Sequence, residues 1–178
     1  MNNMVTGKIS AVALALAALA TLILMFSMGN KQASQIDLNS IPNHASELTI
    51  DVDKSKIYSI TIDYLVDSSD PKNYKQLRTL VEDLAKNGRY AESRASKTVI
   101  SFSMYYFSST EWKKLQDYQV DVDMLDLYSW GADSISKQIL SISLEPGRYK
   151  IMVHSFEKNF QLNQVSMQLS MGVAYRGK

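Results

Sequence analysis

Cysteine is absent from this 178-residue chain. No disulfide can hold the fold, no thiolate can bind zinc, and a lipid anchor on a processed N-terminal cysteine is excluded. Histidine is nearly absent, with only His44 and His154 in the sequence. A catalytic zinc site typically takes three protein ligands, usually including histidine, and no His-x-x-x-His pair exists here. Charge of one sign is missing as well. Nineteen basic and eighteen acidic residues leave a formal net charge of +1, so no global field draws the protein to nucleic acid or anionic lipid. Neither a glycine-rich phosphate loop nor a Gly-x-Ser-x-Gly elbow is present, which removes the usual anchors of nucleotidases and hydrolases. No catalytic residue, cofactor or metal ligand is therefore expected.

The chain does have one long apolar run, from Ile9 to Met28, between Lys8 and Gly29-Asn30-Lys31. At about 1.5 Å per helical residue it reaches roughly 30 Å, enough to cross the hydrocarbon core of a bilayer. Lys8 and the terminal amine, with no acid beside them, favour an N-terminus that stays inside. Residues 1–30 therefore read as an export signal with two possible fates. As an uncleaved signal anchor, residues 9–28 hold the protein in the inner membrane. As a signal peptide, the run ends at a small-x-small site, Ser27-Met28-Gly29, and the domain is released into the periplasm. Both place the rest of the chain outside the cytoplasm.

About 140 residues follow the leader, the size of one domain with a real core. Residues 31–47 are polar, with Gln32, Ser34, Gln35, Asn39, Ser40, Pro42 and Asn43, and read as a linker before a domain over 48–178. There the hydrophobic period becomes two. Leu48, Ile50 and Val52 predict one strand; Tyr58, Ile60, Ile62, Tyr64 and Val66 predict a second. Asp70 as N-cap and Pro71 at the first helical position then open an amphipathic helix over about 71–87. Tyr74, Leu77, Leu80, Val81 and Leu84 share its apolar face, and Asn87-Gly88 stops it. Alternation returns over about Lys97 to Phe107, Tyr118 to Met124, Ile139 to Leu144, Tyr149 to Val153 and Val165 to Tyr175. Glu145-Pro146-Gly147-Arg148 has the residues of a tight turn, with glycine supplying a positive φ. Six or seven strands with one inserted helix predict a mainly β fold, an antiparallel β-sandwich preceded by the apolar export or anchor helix.

Two stretches carry a resemblance. Ser129-Trp130-Gly131-Ala132-Asp133-Ser134 forms a turn, and Leu144-Glu145-Pro146-Gly147-Arg148-Tyr149 follows as a Leu-x-Pro-Gly-x-Tyr hairpin. Over about Leu125 to Ser155 the chain resembles a family of small exported bacterial β-rich proteins classed as a domain of unknown function. The resemblance implies an envelope location and a β-rich fold, and it carries no catalytic residues. Members of that family often have lipoprotein-type or ordinary signals; the long leader and missing cysteine here depart from that in anchoring, not in fold.

Three constellations offer chemistry. Asp51 with Asp53 and Asp121 with Asp123 each place two carboxylates about 7 Å apart on one face of a strand, a spacing open to calcium. Neither has the added Gly, Asn or further acid of a calcium loop, so a solvated strand face is the expectation. Trp130, Asp133 and Ser134 either meet a ligand or lock their own loop as an Asx-type turn, with the structural role favoured. Tyr105, Tyr106, Phe107 and Trp112 form an aromatic cluster within a chain of ten tyrosines. Such groups suit protein interfaces and sugar platforms as well as cores. Alternation sends Tyr105 and Tyr106 to opposite faces, so one of them leaves the main core. The expected function is a non-catalytic extracytoplasmic protein-binding module of the bacterial envelope, in one version an immunity protein against a periplasm-targeted toxin. Its partner is a protein and not nucleic acid. An envelope assembly or structural accessory using a sheet edge is the alternative, and a hydrolase working through carboxylates alone has the least support.

Overall fold

The computed structural model describes residues 34–43, 46–66, 71–88, 97–131 and 133–174. The apolar leader, His44 and the Asp70 cap lie outside the described residues, among which no helix is long and apolar enough to cross a membrane. Among the described residues nine strands run in chain order: β1 Ser34–Asp37, β2 Ser46–Val52, β3 Lys56–Leu65, β4 Val99–Ser108, β5 Glu111–Asp121, β6 Leu127–Trp130, β7 Ser134–Leu144, β8 Gly147–Glu157 and β9 Met167–Val173. The helix α1, Pro71–Gly88, stands between β3 and β4. All pairings are antiparallel and make two sheets, a first in the order β1-β9-β3-β7-β6 and a second in the order β2-β8-β4-β5.

Alternation explains how the sheets share a core. Tyr58, Ile60, Ile62 and Tyr64 of β3 and Met167, Leu169 and Met171 of β9 are buried from one sheet. Ile100, Phe102 and Met104 of β4 and Tyr149, Ile151 and Val153 of β8 are buried from the other, in the same apolar cluster. The arrangement is sandwich-like: two layers, each turning one face inward. Leu77, Val81 and Leu84, at helical spacing, bury one face of α1, which packs against a 3-10 turn at Val122–Met124.

Four sequence expectations change. The polar stretch read as a linker belongs to the fold: β1 pairs with β9, and Leu38, in a 3-10 turn, is fully buried. Its backbone is used for pairing, which needs few apolar side chains. The Leu-x-Pro-Gly-x-Tyr segment is not a hairpin, because β7 belongs to the first sheet and β8 to the second. Glu145-Pro146 is instead an arch between layers, with Leu144 and Tyr149 buried on either side and the Tyr149 hydroxyl donating to the Glu145 carbonyl at 3.0 Å. The strand expected over Tyr118 to Met124 starts earlier, at Glu111, and ends at Asp121. The turn expected at residues 129–134 contributes a short strand, β6, before it turns.

A polar knot lies within this core. Asp123, in the 3-10 turn, is fully buried and accepts from the Thr98 amide at 2.8 Å and from Asn159 Nδ2 at 3.4 Å. Lys137 of β7, also fully buried, donates to the carbonyls of Asp123 at 3.0 Å and Val122 at 3.2 Å. The lysine thus ties the first sheet to the turn that follows the second. Burial pushes its ammonium down to about 8, against the opposing pull of Asp123, Asp121 and Asp126. Tyr64 is raised by burial and, secondarily, by the Asp123 charge.

Candidate functional site

The outer face of the second sheet gathers aromatic and charged side chains where solvent reaches them. β4 and β5 form a hairpin across Ser109-Thr110, with Ser109 at a φ of 51°, and Phe107 pairs with Trp112. Their rings lie 5.1 Å apart, tilted by 59°. On the other side of β4, Tyr105 pairs with Lys150 of β8. Lys150 Nζ lies 4.7 Å from the Trp112 ring centre, 5.6 Å from that of Tyr105 and 3.3 Å from a carboxylate oxygen of Glu47 on β2. Its side chain is only 13% exposed. An ammonium held between two ring faces and one carboxylate is a fixed, partly desolvated cation, and it orders the aromatic ledge around it.

Two bulges shape the neighbouring part of this face. Ser101 pairs with Ser155 and Phe102 with Val153, which leaves His154 as the extra residue in β8. Met104 pairs with Gln116 and Tyr105 with Lys114, which leaves Leu115 extra in β5 and 51% exposed. Bulges re-aim side chains, and His154 Nε2 comes to 2.5 Å from Ser103 Oγ. Ser103 also donates to Asp117, whose other oxygen accepts from Lys114 at 3.2 Å. The Ser103 hydroxyl, then Lys114, holds the Asp117 carboxyl below the usual carboxylate range. This trio is not arranged as a nucleophilic triad. There histidine bridges an exposed serine to the acid; here the serine bridges and is 0% exposed.

The remaining sequence candidates lie elsewhere. Tyr106, on the core side of β4, packs on Tyr149 with ring centres 5.3 Å apart, and its ring lies over Gly147. Trp130 is in β6, paired with Ile135, and its side chain lies outside what is described. Asp133 and Ser134 close the β6–β7 turn: the Ser134 carbonyl accepts from the Gly131 amide at 2.8 Å, and the Asp133 carbonyl accepts from Val66 at 2.9 Å. They belong to the first sheet and not to the aromatic face. Of the acid pairs, Asp51 binds Arg148 at 2.8 Å on the surface, and Asp121 binds Lys97 at 3.1 Å. Asp123 corrects the expected solvated strand face, because the chain leaves the strand at Val122 and turns it into the core. Among the described residues no group of three His, Asp or Glu side chains is placed to hold a metal.

Sequence reasoning did not pick out Lys150, Asp117, His154 or Glu47. Alternation around Tyr149 and Ile151 does send Lys150 outward, but its partners come from three different strands. His154 faces outward, as its place between Val153 and Ser155 suggests, but its bond to Ser103 depends on the bulge.

Fold and face together define a mainly β domain of two antiparallel sheets with one helix and an aromatic, charged outer face. The chain belongs to the family described as domain of unknown function DUF5625, whose model matches residues 40–173. The matched region contains the stretch, about Leu125 to Ser155, that carried the resemblance. A solved protein structure from Sulfurospirillum deleyianum is similar in fold, with a TM-score of 0.58 and 13% sequence identity, over 82% of this chain and 99% of that one. No curated protein sequence matches the chain.

Proposed function

We propose that this protein is a non-catalytic protein-binding module of the bacterial envelope, with its folded domain outside the cytoplasm, and that its partner docks on the outer face of the second sheet. In its specific form it is an immunity protein against a toxin delivered to the periplasm. The apolar run at residues 9–28 supports export, by an anchor or a cleaved signal. The observation that carries the binding role is the Tyr105–Lys150–Trp112 cluster with Phe107 beside it. Tyr and Trp are over-represented at interface centres, where a rigid, partly desolvated surface yields most of the energy.

An assembly role that adds a strand to a free edge has less support. β5 is an edge of the second sheet, but it carries Glu111, Lys113, Lys114 and Asp117 and the bulge at Leu115, devices that discourage edge pairing. A carboxylate-only hydrolase also loses ground, because Asp51 and Asp121 are paired with cations and Asp123 is in the core.

The test is affinity capture from envelope extracts with the full chain, beside Trp112→Ala and Lys150→Ala, followed by binding of the purified captured protein. One partner bound directly and weakened at least tenfold in both variants is expected, the range of interface hot spots. A partner bound equally by all three would refute this face as the docking surface. Capture of nothing would refute the protein-partner reading.

A further inference from the structure

The opposite surface of the domain, the outer face of the first sheet, has a different chemistry. β3 is the middle strand, and its outward residues are Ser59, Thr61 and Asp63. With Ser136 of β7, Ser170 of β9 and Tyr128 of β6 they line a groove of about 230 Å³. Short hydroxyl side chains on a central strand leave a depression where larger residues would fill the surface. At about 30 Å³ per water, the groove has the volume of roughly eight waters, room for a single small ring.

Part of this surface is already braced. Asp63 Oδ2 accepts from Ser170 Oγ at 2.5 Å and from Gln168 Nε2 at 3.4 Å. Ser59 Oγ accepts from Gln138 Nε2 at 2.7 Å and lies 3.4 Å from the Tyr128 hydroxyl. The rest is open to a ligand. Thr61 and Ser136 are 9% and 7% exposed, yet among the described residues neither hydroxyl makes a hydrogen bond, and Asp63 Oδ1 makes none. These three atoms keep contact with solvent in the groove, where a ligand can reach them.

We propose that this groove binds a neutral polyhydroxylated ligand, a single sugar ring being the size it admits. Hydroxyl groups both donate and accept, so the Thr61, Ser136 and Tyr128 hydroxyls are matched by the adjacent hydroxyls of a sugar. Asp63 accepts from one or two of them in charge-assisted bonds. Among the described residues the groove is lined by no lysine or arginine, and there an anion would meet only the Asp63 charge. An apolar ligand would leave the same polar groups unmet. The site is on the other sheet from the aromatic face and stands independently of the docking role.

The test is calorimetric titration and saturation-transfer NMR on the full chain, kept soluble in a sugar-free zwitterionic detergent. The probes are D-glucose, N-acetyl-D-glucosamine and D-mannitol, with putrescine and inorganic phosphate as charged counter-probes. Saturable binding of at least one polyol is expected. Asp63→Asn should weaken it about tenfold or more, and Thr61→Val or Ser136→Ala about fivefold each. The last two remove hydroxyls that make no hydrogen bond among the described residues, so both fold normally and keep the test open if Asp63→Asn does not. Lys86→Ala, on the exposed side of α1, should leave binding unchanged. The proposal is overturned if no polyol binds saturably, if binding ignores all three groove substitutions, or if putrescine or phosphate alone is bound.

Discussion

Lys137 makes the stability of this protein rise with pH over a window where most proteins are indifferent. Its ammonium is fully buried and bonded to two carbonyls, and burial lowers its pKa from 10.5 to about 8. Below pH 8 the lysine is charged in both states, and the folded protein bears the full cost of desolvating it. Between about 8 and 10.5 the folded state has shed a proton that the unfolded chain still holds, so unfolding takes up a proton and stability increases with pH. At 1.36 kcal/mol per unit, the gain reaches about 2 kcal/mol by about pH 9.5. For a chain of this size that is roughly 4–8 °C in Tm. Lys158, lowered by burial against the opposing Asp37 charge, adds a slope of the same sign, so the informative quantity is the difference from Lys137→Met. The buried tyrosines act the other way, but only above about pH 10, as their raised values are passed. Urea midpoints and calorimetric Tm measured from about pH 7 to 9.5 on both proteins decide the matter. A flat wild-type profile, or the same slope in Lys137→Met, would refute a buried ammonium at this position.

Gly147→Ala should destabilise by about 1–3 kcal/mol, because the added Cβ would sit 2.6 Å from Tyr106 Cε2 at a φ of +156°. Urea unfolding checks this, and Tyr106→Leu in the same chain should recover the part that comes from the ring. A double-mutant cycle of Lys150→Met and Trp112→Ala should return a coupling of about 0.5–2 kcal/mol in folding stability. A coupling of zero would mean that the cation does not order the ledge.

How much of this was legible in the sequence depends on whether a feature is local. Alternation along 58–64 and 99–105 identifies strands because inward and outward positions differ in chemistry, and the apolar spacing of Leu77, Val81 and Leu84 identifies α1 because one helix face is buried. β1 escaped because a short edge strand binds through its backbone, which has no compositional signature. The arch at Glu145-Pro146 has the sequence of a hairpin because proline and glycine mark a reversal of direction without saying which sheet receives the next strand. The Asp121 and Asp123 pair looked alike in sequence, yet a 3-10 turn begins between them and sends one into the core.

By itself, then, the sequence determined the β-rich class, the helix after the second predicted strand, the absence of cysteine and the apolar leader, since each depends on composition or on contacts a few residues apart. The tertiary structure alone decided which side chains meet. It brought Tyr105, Trp112, Lys150 and Glu47 together from four strands, moved Tyr106 into the core, and assembled the Thr61, Asp63 and Ser136 groove across two. Those meetings depend on strand order, register and the bulges in β5, β7 and β8. All three are set by packing over the whole sheet, and a shift of one residue in any of them would send the same side chains to the opposite face.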